Sequence, residues 1–346
     1  MSDPMIDQGK PGASPHRPRL FEPPVPTPGS KDRVLGTPAV RGGPGALRLR
    51  LPATSANLGP GFDAVAVALD FALEIEAEAA REFQVAASGR DAERCARLEN
   101  NLILETYTQL LRKNERSIVP LAIRMVNGIP LGMGCGSSAA ARLAAIALAV
   151  HFGQLGWDTE RILEEAYALE GHPDNVAACW LGGFVTAVCE GTKVRVARAD
   201  PPEEWRAIVA LPAQPLATSE ARAVLPACYP LEDVVRNLQS VAVLGLAFAQ
   251  GRADLLRLAM RDRIHQPYRE PICPLLPMLL PLVGEHGILG AALSGAGPAV
   301  LVVVDREENL LRASKAVQEA VETRMEAELA ICRFSRVGAG QFVEKK

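Results

Sequence analysis

From Ala46 the chain alternates apolar and polar positions with period two. Leu47, Leu49 and Leu51 are separated by Arg48 and Arg50, the pattern of a half-buried strand. The stretch Pro52 to Asp63 is dense in turn residues and predicts a loop, after which residues 64–78 return to strand alternation and end in Glu74, Glu76 and Glu78 as a solvated face. Spacings of three and four among Leu102, Ile103, Thr106 and Leu110 predict a helix over about 101–113, and a strand over 121–126 follows. A glycine-rich bend at 129–136 then opens into an alanine-rich helix. Asp158 or Thr159 caps the next helix, which runs to Glu170, and a short helix over 176–180 precedes strands near 183–189 and 193–197. Asp200-Pro201-Pro202-Glu203 marks a boundary. Beyond it the pattern predicts a strand at 207–211, helical spacing at 218–222, helices near 231–249 and 253–262, and irregular backbone at His265–Arg269. Two strands flanking the turn Ser294–Pro298, a helix near 308–322 and a strand near 329–336 complete an α+β half.

Composition narrows the classes. The 346 residues are 48% hydrophobic and 22% charged, enough apolar material for a core spread over two domains. A net charge of −3 and an aromatic content of 5% supply neither a global basic field nor stacking platforms, which argues against nucleic acid as a partner. The longest apolar run, Ala139 to Phe152, contains Arg142 and is too short for about 30 Å of hydrocarbon, so no membrane span is expected, and the first residues lack a secretion signal. Seven scattered cysteines read as reduced, mostly buried residues of a cytoplasmic protein. Residues 1–44, crowded with proline, glycine and charge, predict a disordered tail; 45–200 and 201–346 are the two expected domains.

The chemistry is concentrated in Pro130-Leu131-Gly132-Met133-Gly134-Cys135-Gly136-Ser137-Ser138-Ala139. Alternate glycines leave backbone amides unshielded and permit positive φ, and the serine pair leads straight into strong helix formers. First-turn N–H groups and the helix dipole then form an anion cradle that needs little help from lysine. A Walker loop is excluded because no lysine occurs between Lys113 and Lys193, and the spacing Gly-x-Gly-x-Gly departs from the dinucleotide fingerprint. A triphosphate bound without lysine calls for Mg²⁺ on hard oxygen ligands, and Glu170 with Ser137 or Ser138 would supply them; Glu170-Gly171 alone is equally a helix end with its capping glycine. Thr54, Ser55, Asn57 and Asp63 gather hydrogen-bonding groups in one short span, although Asx-turn use is the commoner role for a single asparagine. On a helix Thr218 and Arg222 share a face and fit a carboxylate, with a surface salt bridge as the ordinary alternative.

Three stretches taken in order resemble the three motifs of the GHMP small-molecule kinases: Pro52 to Asp63, Gly134-Cys135-Gly136-Ser137-Ser138-Ala139-Ala140, and Leu293-Ser294-Gly295-Ala296-Gly297-Pro298. Glu170 to Asn175, Thr218 to Pro226 and His265 to Arg269 are similar to features of the homoserine kinase subfamily. The resemblance spans about residues 46–340. It implies an α+β two-domain GHMP kinase fold, with an N-terminal domain like ribosomal protein S5 domain 2, a ferredoxin-like C-terminal domain and the active site between them. It also implies ATP on Pro130, Gly132, Gly134, Gly136, Ser137, Ser138 and Ala139, and Mg²⁺ on Ser138 and Glu170. L-Homoserine would meet Asn57, Asp63, Asn175, Thr218, Arg222, Arg269 and Gly295, the arginines suiting its carboxylate and Asp63 its ammonium. Asp174 and Asn175 are the catalytic candidates, Asp174 as a base or as a positioning group, in a reaction that rewards alignment more than proton removal. Two positions depart from the family pattern: Cys135 stands for the usual leucine, and Ala66 for a glycine, which would tighten the space near the substrate. The alternatives are a kinase of an isoprenoid precursor and a non-catalytic nucleotide-binding regulator; the oligomeric state, a homodimer included, stays open.

Overall fold

The computed structural model describes residues 45–322 and 324–339, so the expected N-terminal tail lies outside the described residues. Strands β1 (Leu47–Asn57) and β2 (Gly61–Ala79) form an antiparallel hairpin. The loop expected over Pro52–Asp63 is therefore mostly strand, and its turn shrinks to Leu58-Gly59-Pro60. Register shifts beside Pro52 and at Asn57, whose φ is 68°, let the ladder continue past residues that sequence reading treats as breakers. The glutamate end of β2 is less a bare solvated face than a cross-strand ladder: Glu76 accepts from Arg48 at 2.8 Å and lies 3.4 Å from Arg124.

The chain continues through β3 (Gln84–Gly89), α1 (Ala92–Cys95), α2 (Leu102–Lys113) and β4 (Leu121–Asn127). Neither β3 nor α1 is marked by the apolar–polar pattern, because each is short and has no fully buried position. Asn101 caps α2 by accepting from the amides of Ile103 and Leu104 at 3.1 and 3.3 Å. Next come α3 (Ser137–Phe152), α4 (Thr159–Glu170, capped by Asp158), α5 (Asp174–Leu181), β5 (Phe184–Glu190) and β6 (Lys193–Ala199). The first sheet has the order β3-β4-β2-β5-β6 with β1 also paired to β2, and only β3 and β4 run parallel. Helix α3 carries apolar residues on nearly every side because it is packed among α2, α4, α5 and β1.

The second sheet contains β7 (Arg206–Pro212). It is followed by α6 (Thr218–Ala223), α7 (Leu231–Gln250), α8 (Ala253–Ala259), α9 (Gln266–Arg269) and α10 (Leu275–Leu279). β8 (Ile288–Leu293), β9 (Val300–Val304), α11 (Glu307–Glu322) and β10 (Ala327–Arg333) complete it. Its order is β10-β7-β9-β8, antiparallel throughout, and β9 is buried along its whole length. The backbone expected to be irregular at His265–Arg269 is instead a helical turn, because the Asp262 carboxylate accepts from the amides of Ile264, His265 and Gln266.

The two sheets are joined by aromatic packing. Phe248 of α7 stacks on Phe184 of β5 at 4.4 Å and meets Trp205 and Phe334 edge-on at 5.2 and 6.0 Å, while Phe334 bridges to Leu69 of β2. Phe248 is 1% exposed, so Phe248→Ala is expected to destabilise the protein by about 3–5 kcal/mol. Urea unfolding checks this, and a change under about 1 kcal/mol would mean that other contacts carry the junction.

Candidate active site

The glycine bend is built by close approach as well as by dihedral angle. Gly134 and Gly136 have φ of 77° and 74°. A Cβ on Gly134 would stand 2.0 Å from the Ser294 carbonyl oxygen, and one on Gly136 would stand 1.9 Å from Thr54 Oγ1. Hydrogen bonds stitch the same contact: Thr54 N donates to Cys135 O at 3.1 Å, and Ser294 Oγ donates to Gly134 O at 2.8 Å. Gly136 occupies the N-cap of α3 and offers no side-chain cap, so the first-turn amides face the cavity beside Ser137 and Ser138.

That cavity has a volume of about 390 Å³ and is bordered by Gly132, Gly134, Gly136, Ser137 and Ser138 at the glycine bend. Pro130 and Ala139 are buried and do not border it, so their contribution is to shape the bend. Every other expected site residue borders the same space: Asn57, Asp63, Glu170, Asp174, Asn175, Thr218, Arg222, Arg269 and Gly295.

Glu170 ends α4, and Gly171 follows in the left-handed region at φ 84° as the capping glycine, while the Glu170 side chain borders the cavity. Ser138 Oγ donates to Glu170 Oε2 at 3.0 Å. Arg142, one turn along α3, brings Nε to 2.7 Å from the same oxygen as an ion pair without an aligned hydrogen bond. A hydroxyl and a carboxylate this close at a helix N-terminus fit a hard cation such as Mg²⁺. Among the described residues no group of three or more His, Cys, Asp or Glu could hold a metal, so the protein would contribute these two oxygens and a bound phosphate the others.

The opposite end carries both signs of charge. Arg222 Nη2 donates to Asp63 Oδ1 at 2.6 Å, and the pair is only partly exposed. The hydrogen bond that Arg222 donates to Asp63 holds the Arg222 pKa above its usual value, against partial burial. Arg269 is 1% exposed, and burial together with the charge of Arg222 lowers its pKa. Both arginines meet the Phe62 ring, their Cζ atoms 5.3 and 5.4 Å from its centroid. Asn57 is committed at both ends of its amide: Nδ2 donates to Gly295 O at 2.7 Å, and Oδ1 accepts from Asp63 N at 3.0 Å.

Asp174 Oδ1 accepts from Asn175 N at 2.6 Å and sits 2.8 Å from His172 Nδ1. Asn175 Oδ1 in turn accepts from Thr54 Oγ1 at 2.6 Å, so the buried Thr54 orients the asparagine and does not itself face a ligand. Burial would depress the His172 pKa, but the hydrogen bond to Asp174 and the charges of Asp174, Glu170 and Asp63 raise it overall.

Sequence reading missed Arg142 and His172, and it missed the wall formed by Leu73, Arg94, Cys95, Asn101 and Met125. Arg142 sits one turn after Ser138, a spacing that shows its face. The wall gives no such signal, because it is assembled from β2, β4, the short unpredicted α1 and the N-cap of α2, elements that meet only in the fold. Ala66 does not narrow the cavity, since it packs with Ala56, Ala177 and Ala178 on the side of α5. Cys135 is 1% exposed, and burial pushes its thiol up to about 12, consistent with its standing in for an apolar residue.

The family described as GHMP kinases N terminal domain matches residues 101–183, and GHMP kinases C terminal matches residues 246–323. The homoserine kinase of Solibacter usitatus is 44% identical over 259 residues, covering 75% of this chain and 85% of that protein. That of Deinococcus radiodurans is 38% identical over 258 residues, covering 75% and 84%. The crystal structure of homoserine kinase from Cytophaga hutchinsonii superposes with a TM-score of 0.74 at 23% identity, covering 87% of this chain and 99% of that one. The mevalonate kinase of L. major in complex with R-mevalonate shares the fold at a TM-score of 0.64 and 15% identity, covering 85% and 96%.

Two outcomes follow from this geometry. Gly136→Ala adds strain of about 1–3 kcal/mol at a positive φ and displaces Thr54, so ATP affinity measured by calorimetry in the presence of magnesium should fall by about tenfold or more. The raised pKa of His172 means that its pairing with Asp174 stabilises the fold fully below the ordinary value of 6.5 and is lost as pH rises through the folded value. The stability difference between the wild type and His172→Gln should therefore be larger at about pH 6 than at about pH 9; a difference that grows with pH would contradict it.

Proposed function

The chain belongs to the homoserine kinases of the GHMP kinase family, and from that premise we propose that it phosphorylates L-homoserine with ATP and Mg²⁺, giving O-phospho-L-homoserine on the route to threonine. One observation carries the assignment of parts: a lysine-free glycine bend with Ser138 and Glu170 opens into the same cavity as Asp63 opposed to two arginines. The first set suits a metal-bound triphosphate, and the second suits an amino acid whose carboxylate and ammonium are both charged.

The substrate carboxylate binds Arg222 and Arg269, and its ammonium binds Asp63, with Thr218, Asn175, Asn57 and Gly295 bordering the amino-acid end. The backbone of Gly132, Gly134 and Gly136, with Ser137 and the α3 amides, holds the phosphates, and Ser138 with Glu170 holds Mg²⁺. Bound there, Mg²⁺ supplies charge neutralisation of the phosphates and of the charge that develops during transfer. The homoserine hydroxyl oxygen bonds to the γ-phosphorus as the bond from that phosphorus to the β,γ-bridging oxygen breaks, ADP departs and the hydroxyl proton is released. Asp174, with one oxygen already engaged by His172 and Asn175, positions Asn175 in place of serving as a dedicated base. Positioning suffices because a loose phosphoryl transition state gains most from alignment and neutralised charge.

We divide the chain at Asp200–Glu203 into domains 45–200 and 201–346, supported by the first sheet drawing only on strands before this segment and the second only on strands after it. Seven free cysteines support a reducing cytoplasmic setting, and among the described residues no helix is long and apolar enough to cross a membrane.

Incubation of the purified protein with MgATP and homoserine, mevalonate or a phosphorylated isoprenoid precursor, following ADP, tests the assignment. Turnover is expected with homoserine alone, and release of ADP only with mevalonate would overturn it. Glu170→Gln should lower kcat and weaken the dependence on magnesium, whereas Arg222→Ala should chiefly raise the homoserine KM, by about tenfold or more.

A further inference from the structure

His265 is fully buried, lies outside the expected ligand set and is engaged at both ring nitrogens. Its Nε2 is 2.7 Å from the carbonyl oxygen of Gly59, and its Nδ1 is 3.0 Å from Arg269 Nη1. A guanidinium can only donate, so Nδ1 must accept, and the ring proton must sit on Nε2, where Gly59 O accepts it. Neighbours thereby fix one neutral tautomer. Burial and the charge of Arg269 favour this neutral ring, against Asp262 and Asp63, which act in the opposite sense.

The contact at Gly59 is rigid. Gly59 has φ 89°, and a Cβ there would meet the Met260 carbonyl oxygen at 2.2 Å, so the β1–β2 turn lies backbone against backbone on the segment that leads to His265. Asn237 of α7 clamps the same two pieces, donating from Nδ2 to Pro60 O at 2.8 Å and accepting from Arg263 N at 3.1 Å. Asp262 anchors the histidine backbone, and Phe62 packs on the imidazole at 5.3 Å between centroids. Arg269 is held from a second side by its Nε, which donates to Ala221 O of α6 at 2.9 Å.

We propose that His265 is a positioning residue that orients Arg269 and ties it to the hairpin carrying Asp63, setting the spacing between the carboxylate and ammonium subsites for the amino acid. The inference rests on the reading that Arg269 receives the substrate carboxylate. His265 touches no substrate and acts through Arg269.

Two substitutions separate the two ends of the ring. In His265→Asn the amide oxygen stands close to the place of Nδ1 and keeps an acceptor for Arg269. In His265→Gln the amide N–H reaches toward Gly59 but that acceptor is lost. His265→Gln is expected to raise the homoserine KM about tenfold or more with the ATP KM unchanged, and His265→Asn to stay within about threefold of wild type. In an Arg269→Ala background the effect of His265→Gln should disappear, which a purely structural role would not produce. Equal losses in both variants, or an effect that persists without Arg269, would overturn the proposal. If Arg269→Ala raises the homoserine KM while His265→Gln does not, positioning fails alone; if neither substitution changes it, the carboxylate reading fails. Should His265→Gln not fold, nitrogen-15 spectra of the wild type remain decisive: Nδ1 must be unprotonated at about pH 7, and a protonated Nδ1 would refute the arrangement.

Discussion

Backbone against backbone at the glycine bend is the contact on which the remaining architecture depends. Three stretches far apart in the sequence converge there: the end of β1, the bend before α3 and the turn after β8. Gly295 N donates to Ala56 O at 3.0 Å, Asn57 Nδ2 donates to Gly295 O, and Ser294 Oγ donates to Gly134 O. No side chain larger than hydrogen fits at Gly134 or Gly136 without moving one of the other two strands of this seam. The α3 N-terminus is consequently presented to the cavity at a fixed place relative to Asp63, Asn57 and the second sheet. Electrostatic recognition is weak when the groups that carry it can drift, and a seam of this kind removes that freedom before any ligand arrives.

The seam also accounts for what the sequence disclosed and what it concealed. Glycines, serines and prolines at fixed spacing announce backbone geometry directly, so the three motifs were readable and the elements on either side of them nearly so. The long alternation of β2 and the apolar run of α3 were legible for the same reason, since burial writes a period into the chain. Legibility failed where tertiary context overrides local preference. Pro52 to Asn57 reads as a loop, but pairing with β2 and two register shifts hold it as strand. His265–Arg269 reads as irregular, but three amides accepted by one aspartate make it a helical turn. The cavity wall from Arg94 to Asn101 has no periodicity long enough to read, and its role is visible only once β2 and β4 stand opposite it.

The salt bridge that is the ordinary alternative for Arg222 is present, and its partner is Asp63, the other charged residue expected at the substrate. In the free protein the two groups expected to meet opposite ends of an amino acid satisfy each other at 2.6 Å. A ligand with only a carboxylate would take Arg222 and leave Asp63 without its partner in a partly desolvated place; a ligand with only an ammonium would do the reverse. A zwitterion replaces both halves of the ion pair at once. On the proposed reading the pairing would discriminate by the cost of separation as much as by attraction, with no residue beyond the two of the ion pair.

The two ends of the cavity meet their charge in different ways. A zwitterion is neutral overall, so the end proposed for it could be balanced internally, and Asp63 against Arg222 and Arg269 would leave a modest positive excess for a carboxylate. A triphosphate is strongly anionic, and on its side the chain offers helix amides, two serine hydroxyls and the carboxylate of Glu170, with Arg142 already engaged by that same carboxylate. Amides and a dipole of roughly half a charge cannot neutralise several phosphate charges. On the proposed reading an external cation would be needed, and it would be received where Ser138 and Glu170 bring their oxygens together. The absence of lysine from Asn114 to Thr192 and the presence of that oxygen pair are two expressions of the same electrostatic choice.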